Sequence, residues 1–263
     1  MRAIKQLVRF GWEQALSCLF PVVIFASLAL TQIVPLPILP RYDWLLILCL
    51  LMQWGMVRSG LETRDELKVI TLFHIIGLAL EIFKVHMGSW SYPEEGYFKI
   101  FGVPLYSGFM YASVASYLCQ AWRRLKVELI KWPPFMIVVP LAAAIYLNFF
   151  THHYWIDVRW WLSGLVIIVF WQSWVTYEIN GTSYRMPLAL SFVLIGFFIW
   201  IAENIATFFG AWKYPNQTEA WSLVHLGKVS SWLLLVIVSF LIVATLKQVK
   251  GKSTTSLDAS KYL

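Results

Sequence analysis

Eight apolar runs, each long enough to cross a bilayer as a helix, dominate this sequence of 263 residues. A helix needs about 17 to 25 apolar residues to span the hydrocarbon core, and such runs, separated by short polar stretches, predict an all-α, multi-pass membrane protein. The composition agrees, because 59% of the residues are hydrophobic and only 13% are charged. The predicted spans are residues 15–34, 42–58, 67–87, 104–122, 133–150, 160–178, 187–209 and 223–246.

The basic residues predict which side of the membrane each loop faces, because cytoplasmic loops carry the excess of Lys and Arg. With a cytoplasmic N-terminus, most of the 21 Lys and Arg residues fall inside. Both termini are therefore predicted to be cytoplasmic, and residues 247–263 are expected to form a loose polar tail. The few basic residues left outside are Arg41, Lys84, Lys99, Arg159, Lys213 and Lys228.

One phrase, Gly-x-Trp-x-Tyr-Pro (GxWxYP), occurs twice, at residues 88–93 and 210–215. A glutamate precedes the glycine of each copy at the same distance, Glu81 in the third span and Glu203 in the seventh. Four spans separate the copies, so both helices run from inside to outside. This pattern predicts a parallel duplication of four spans plus four, related by an axis along the membrane normal. The predicted halves are residues 1–122 and 133–246.

The two glutamates define the predicted site. A carboxylate costs about 2.5 to 3.5 kcal/mol at the centre of a membrane span, so such a residue needs a reason to be there. Equivalent residues of a parallel repeat lie at the same depth, and we expect Glu81 and Glu203 to approach one cavity in the outer half of the membrane as candidate catalytic acids. The residues expected to bind substrate beside them are Trp90, Tyr92, Trp212, Tyr214, His74, Asn204, His152 and His153.

Simpler interpretations of the same residues remain open. A glutamate in a span can be a neutral group that hydrogen-bonds between helices. The repeated phrase can be an exit turn, in which Gly ends the helix, Trp and Tyr anchor at the interface and Pro stops continuation. His74 fits a buried core histidine as well as a ligand.

The sequence offers little to a cofactor, a metal or a nucleic acid. The three cysteines are unclustered, the five histidines are too few for a membrane di-iron site, and no phosphate-binding loop is present. His152-His153 is the best metal candidate, but adjacent residues rarely bind one ion, so neither metal nor cofactor is predicted. The net charge of +7 lies in short loops, which indicates membrane topology rather than a nucleic-acid partner.

The segment 81–105, EIFKVHMGSWSYPEEGYFKIFGVPL, resembles the membrane carotenoid hydratases and, more distantly, the heterodimeric-type lycopene cyclases, in its Glu, its GxWxY and its GVPL. This resemblance implies that Glu81 acts as an acid on a polyene double bond, with Trp90 and Tyr92 shaping the site. The second copy departs from the pattern, since it lacks Gly-Val-Pro. Over its whole length the chain resembles the YoaT-like family of bacterial multi-pass membrane proteins, which implies the bacterial inner membrane.

Three functions are compatible with this pattern, and the sequence leaves open whether the protein is an enzyme. Paired acids beneath aromatic rings favour acid-catalysed hydration, cyclisation or isomerisation of an isoprenoid or carotenoid. A duplicated bundle with intramembrane acids is also typical of a proton-coupled transporter. The third possibility is a membrane scaffold without chemistry. The expected partners are the lipid bilayer and a lipophilic isoprenoid ligand, while the oligomeric state is undetermined.

Overall fold

The computed structural model describes the backbone of residues 2–34 and 36–259, and the side chains of residues 4–34 and 36–244. The predicted tail, residues 247–263, lies outside the described side chains. The helices are α1 (Arg2–Ser17), α2 (Leu19–Ile33), α3 (Arg41–Arg58), α4 (Arg64–His86), α5 (Ser107–Arg124), α6 (Phe135–Thr151), α7 (Arg159–Val169), α8 (Leu188–Phe208) and α9 (Lys228–Ala259), with a short 3₁₀ helix at Pro215–Gln217. The strands are β1 (Lys99–Ile100), β2 (Val103–Pro104), β3 (Glu128–Ile130), β4 (Trp174–Ile179) and β5 (Thr182–Pro187).

Two helices, α4 and α8, are long and apolar enough to cross a membrane on their own. The pair α1 and α2 adds a third if it is one broken span, and α6, α7 and residues 228–244 of α9 are apolar but shorter. The protein is therefore a mostly helical membrane protein. The predicted count of eight spans exceeds what length and composition support in the described residues.

The first predicted span, 15–34, is interrupted. Helices α1 and α2 meet at Cys18 with a bend of 67°. The cause is Pro21, which has no N–H to donate to the carbonyl of Ser17, so the hydrogen-bond ladder of α1 cannot continue into α2. Beyond the bend, α1 presents large exposed apolar side chains such as Leu7 and Trp12 together with Lys5 and Arg9. This pattern is typical of a helix lying in the membrane interface.

The sixth predicted span, 160–178, is wrong as a single helix. Helix α7 ends at Val169, and its 11 residues rise about 16 Å, roughly half the hydrocarbon thickness. Strand β4 follows and pairs antiparallel with β5, while β3 joins the other edge of β4. The turn between β4 and β5 is Asn180-Gly181, and both residues have positive φ, as a two-residue type I′ hairpin requires.

Glycines let two helix pairs approach closely. A Cβ built at Gly77 of α4 would lie 2.6 Å from the Cβ of Tyr111 on α5, and a Cβ at Gly196 of α8 would lie 2.9 Å from the backbone nitrogen of Leu233 on α9. Only a residue without a side chain fits such contacts, which resemble the small-residue interfaces common between membrane helices. The pairs α4–α5 and α8–α9 therefore form the tightly packed centre that positions the candidate site.

Candidate functional site

The two GxWxYP loops pair with each other. The backbone N–H of Ser91 donates to the carbonyl of Lys213 at 2.9 Å, and the N–H of Lys213 donates back to the carbonyl of Ser91 at 2.9 Å. Both residues occupy the fourth position of their copy. Reciprocal bonds between equivalent positions are what a local two-fold axis produces, so the two loops are arranged around such an axis.

Each loop begins with the same helix ending. Gly88 and Gly210 have φ of +67° and +68°, the left-handed conformation that glycine adopts without strain. The following residue in each copy closes a six-residue ring, because Ser89 donates to the carbonyl of Lys84 and Ala211 donates to that of Ala206, both at 2.9 Å. These are Schellman-type ends. The predicted exit turn is therefore present, and it directs the Trp and Tyr that follow back towards the helix.

Glu81 is buried and accepts three hydrogen bonds from aromatic side chains. The indole N–H of Trp90 and the hydroxyl of Tyr92 donate to Oε2 at 2.6 and 2.7 Å, and the hydroxyl of Tyr111 donates to Oε1 at 2.8 Å. Burial and the charge of Glu81 raise the pKa of Tyr92 well above its usual value, so that hydroxyl remains a donor at physiological pH. Two of the three donors lie in the GxWxYP loop itself.

Glu203 is held in the same way. The hydroxyl of Tyr214 donates to its Oε1, and the indole N–H of Trp232 donates to its Oε2 at 2.7 Å. Tyr214 stands eleven residues after Glu203, as Tyr92 stands eleven after Glu81. The repeated spacing therefore has one structural role. After each helix the chain turns back, so that the tyrosine hydroxyl reaches the glutamate of that helix.

Aromatic rings connect the two carboxylates. The ring of Trp90 meets that of Tyr214 edge to face, with centroids 5.9 Å apart. The ammonium of Lys228 lies 5.3 Å from the Trp90 centroid and 4.8 Å from the Tyr214 centroid, within cation–π distance of both. Trp90, which donates to Glu81, and Tyr214, which donates to Glu203, therefore contact each other and share the ammonium of Lys228.

Both carboxylates line a single cavity of about 810 Å³. Its lining residues run along α8 from Leu188 to Glu203 and along α5 from Met110 to Trp122, and the α8 stretch is about 22 Å long at 1.5 Å per residue. Trp90, Trp212, Tyr214 and Trp232 line the end with the glutamates, whereas side chains of α1 and the β4–β5 hairpin line the other end. The wall between is almost wholly apolar. The cavity therefore has the form of a long apolar tunnel with one polar end.

Part of the cavity wall is shared with the outer surface of the bundle. Several of its lining residues are also exposed on the outside of the bundle, among them Val22 of α2 (53%) and Phe198 of α8 (65%). An apolar side chain exposed at this depth faces lipid. Side chains of α2 and α8 therefore contribute both to the cavity wall and to the outer surface of the bundle.

The other residues predicted for substrate binding lie away from the cavity wall. Tyr92 reaches it only through its bond to Glu81. His74 is partly buried and packs against Phe109 of α5, with ring centroids 4.4 Å apart. Asn204 accepts the N–H of Val224 at 2.9 Å and so fixes the approach to α9. His74 lies on the face of α4 that packs against α5, and Asn204 lies on the side of α8 that meets the approach to α9. Neither side chain is therefore part of the cavity lining.

His152 and His153 lie beside Lys84 and are not among the residues that line the cavity. Their rings are tilted by 34° with centroids 4.2 Å apart, and their Nε2 atoms lie 3.4 and 2.8 Å from the ammonium of Lys84. Lys84 is buried and donates to the carbonyl of Phe149 at 3.1 Å. Partial burial and the Lys84 charge lower the pKa of His153 to about 4. In the described part of the chain, no three His, Cys, Asp or Glu side chains come together as metal ligands.

Four residues at the site were missed by sequence reasoning. Tyr111 and Trp232 bond the glutamates, Lys228 carries the cation, and Arg41 donates to the carbonyls of Phe209 at 2.5 Å and Gly210 at 3.2 Å. Lys228 and Arg41 stood out only as two of the few basic residues outside. Tyr111 and Trp232 occupy matching positions, since each is the fifth residue of the helix after its loop. Their shared position relative to the two GxWxYP copies is the one sequence signal for them.

Comparison with known proteins gives a family and a fold. Residues 6–240 match the family described as "Protein of unknown function (DUF817)". The chain is 86% identical over 258 residues to the uncharacterized protein YoaT of Bacillus subtilis (strain 168), with 98% of each chain covered. Its structure is similar to that of MvINS, an Insig homolog from Mycobacterium vanbaalenii, with a TM-score of 0.50 and 12% identity, covering 69% of this chain and 93% of that one. A second structure of MvINS, a cross-linked trimer, matches equally.

Proposed function

The chain belongs to the DUF817 family, and we propose that it is a membrane protein that binds a long-chain apolar lipid, isoprenoid in character or similar, in the cavity between α5 and α8. The observation that carries this proposal is the cavity itself. Its volume of about 810 Å³ lies within the range of ligand pockets, and its wall is apolar with a few convergent polar groups at one end. A tunnel about 22 Å long suits an extended hydrocarbon chain with a single polar head.

The route into the cavity supports a ligand drawn from the bilayer. Val22, Phe198 and Ile205 each line the cavity and are exposed on the outer surface of the bundle. A lipid entering between α2 and α8 remains in contact with apolar groups throughout, so it crosses no aqueous layer. A water-soluble substrate gains nothing from such an entrance.

The topology we propose is a four-plus-four arrangement in the bacterial inner membrane with both termini cytoplasmic. The halves are α2 to α5 and α6 to α9, and α7 crosses only part of the hydrocarbon. The reciprocal pairing of Ser91 with Lys213 supports this arrangement, because it joins equivalent positions of the halves. The loops carrying GxWxYP then lie on the outer side, opposite the β4–β5 hairpin.

Acid chemistry on an isoprenoid double bond is the second candidate, favoured by the position of Glu81 and Glu203 at the end of an apolar cavity beneath aromatic rings. Binding ranks above it for a geometric reason. An indole N–H can only donate, so Trp90 and Trp232 hold one oxygen of each glutamate as an acceptor. An acid catalyst must instead present its proton to the substrate. Lipid extracts of a strain lacking the gene that differ by one water or one isomer would favour catalysis.

The binding proposal is tested by the lipids that accompany the purified protein. We expect a defined lipid species to co-purify in about one equivalent and to be identified by mass spectrometry of the extract. The Ala202→Phe variant fills the cavity and should lose that lipid. Ala144→Phe, on the exposed face of α6, is the matched control and should retain it. Equal lipid content in all three proteins would contradict the proposal and favour a scaffold or a transporter.

A further inference from the structure

The chemistry at the polar end of the cavity selects the head group of the ligand, and we infer that this head group is a cationic amine. The inference rests on the proposed function, because it concerns the lipid that the cavity binds. It is carried by the relationship of Glu81, Glu203, Trp90, Tyr214 and Lys228.

Four hydrogen-bond donors that line this end already point at the glutamates. Trp90 and Tyr111 donate to Glu81, and Tyr214 and Trp232 donate to Glu203. What the cavity offers a ligand is therefore carboxylate oxygen and the faces of aromatic rings. Both are acceptors of positive charge or of N–H and O–H groups, and neither can donate to a phosphate or a carboxylate.

The charged residues that line the cavity also favour a cationic head group. Two carboxylates lie on the cavity wall, and none of the described lining residues is Lys, Arg or His. The neighbouring ammonium of Lys228 supplies one positive charge from outside the lining. While both glutamates are ionised, Lys228 balances one of the two charges, and a cationic head group would balance the other.

Lys228 also demonstrates the contact that such a head group would make. Its ammonium lies over the faces of Trp90 and Tyr214, which belong to the two different loops. The aromatic residues that line this end of the cavity are Trp90, Trp212, Tyr214 and Trp232. An alkylammonium group bound there has carboxylate oxygens beside it and ring faces around it, which is the pattern by which proteins bind amines.

Three probes with the same chain separate the head groups. Hexadecylamine is cationic, hexadecan-1-ol is neutral and hexadecanoate is anionic at pH 7.5, by the ordinary pKa values of amines and carboxyls. Binding is measured on the full chain in detergent, after removal of co-purified lipid, as the rise of the thermal midpoint with ligand concentration. We expect hexadecylamine to bind at least tenfold more tightly than hexadecanoate, with the alcohol between them.

Two variants make the result specific. Glu203→Gln removes a cavity carboxylate and should reduce the preference for the amine, whereas Lys228→Met removes the competing ammonium and should increase it. Ala144→Phe should leave the preference unchanged. Equal affinities for the three probes, or a preference that neither variant changes, would overturn the head-group inference while leaving the lipid-binding proposal intact. Failure of every probe to bind, with Ala202→Phe indistinguishable from the parent, would overturn both.

Discussion

Tyr111 and Trp232 are each the fifth residue of the helix that follows a GxWxYP loop, and each donates to the glutamate of its own half, at 2.8 and 2.7 Å. The correspondence between the two copies therefore extends beyond the repeated phrase. It includes the glutamate, the loop and the start of the next helix. One copy uses a phenol and the other an indole, and the two side chains have in common a donor at the end of an aromatic ring.

The hydrogen bonds to Glu81 should stabilise the folded protein. Glu81→Gln places an amide N–H₂ where the site supplies only donors, so we expect a loss of about 2 kcal/mol in the free energy of unfolding. Glu203→Gln should cost less, because Glu203 accepts two bonds where Glu81 accepts three. Unfolding in detergent measures both. Glu178→Gln, which removes a surface pair with Lys126, is the control and should cost below about 1 kcal/mol. A Glu81→Gln effect no larger than that of the control would contradict this account of the site.

Gly77 should be intolerant of even one methyl group. A Cβ at this position would lie 2.4 Å from the Cγ of Tyr111, so Gly77→Ala must displace the tyrosine that bonds Glu81. We expect a loss of about 1 to 3 kcal/mol, the usual cost of overpacking. Gly164→Ala in α7 is the matched control, because its Cβ meets nothing within 4 Å. That change should be neutral or stabilising by up to about 1 kcal/mol, the helix preference for Ala over Gly. Similar thermal midpoints for the two variants would show that α4 and α5 are not this close.

His153 should make stability fall in acid. The unfolded chain protonates this histidine near pH 6.5, whereas the Lys84 charge and partial burial hold its folded pKa at about 4. Protons therefore bind the unfolded chain more readily between these values, and stability is lost as the pH falls through that window. Because His153 is exposed, the expected effect is below about 1 kcal/mol. Between pH 4 and 6.5, the thermal midpoint of His153→Asn should change less with pH than that of the control His225→Asn. An unchanged slope would assign the acid sensitivity elsewhere.

The loops and the hairpin should face opposite sides of the membrane. On a background without the native cysteines, Ser91→Cys should react with a membrane-impermeant maleimide in intact cells, since that side chain is exposed. Ser183→Cys, in the exposed hairpin strand β5, should react only after lysis. The reverse pattern would invert the proposed orientation, and labelling of both from one side would refute the four-plus-four arrangement.

Much of the site was visible in the sequence because it is written twice. The spacing from Glu81 to Tyr92 recurs from Glu203 to Tyr214, and a recurring spacing with a buried acid indicates a contact. Two parts of the fold were misread for a physical reason. A search for apolar runs does not separate a helix from a strand, so β4 was joined to α7, although Asn180-Gly181 between alternating runs is a strong hairpin signal. Pro21 lies inside an apolar run, and the length and hydrophobicity of a run do not register the hydrogen bond that a proline removes from a helix.

The central claim is that a membrane lipid occupies the cavity, and site mapping with a photoactivatable lipid tests it most directly. A hexadecylamine carrying a diazirine near the chain end is added to membranes that contain the protein, irradiated, and located by mass spectrometry of the labelled peptides. The account predicts labels on Tyr117 of α5 and Ile195 of α8, which line the cavity, and their loss in Ala202→Phe but not in Ala144→Phe. Labels confined to outward residues such as Met136 and Trp161, and unchanged in Ala202→Phe, would contradict it.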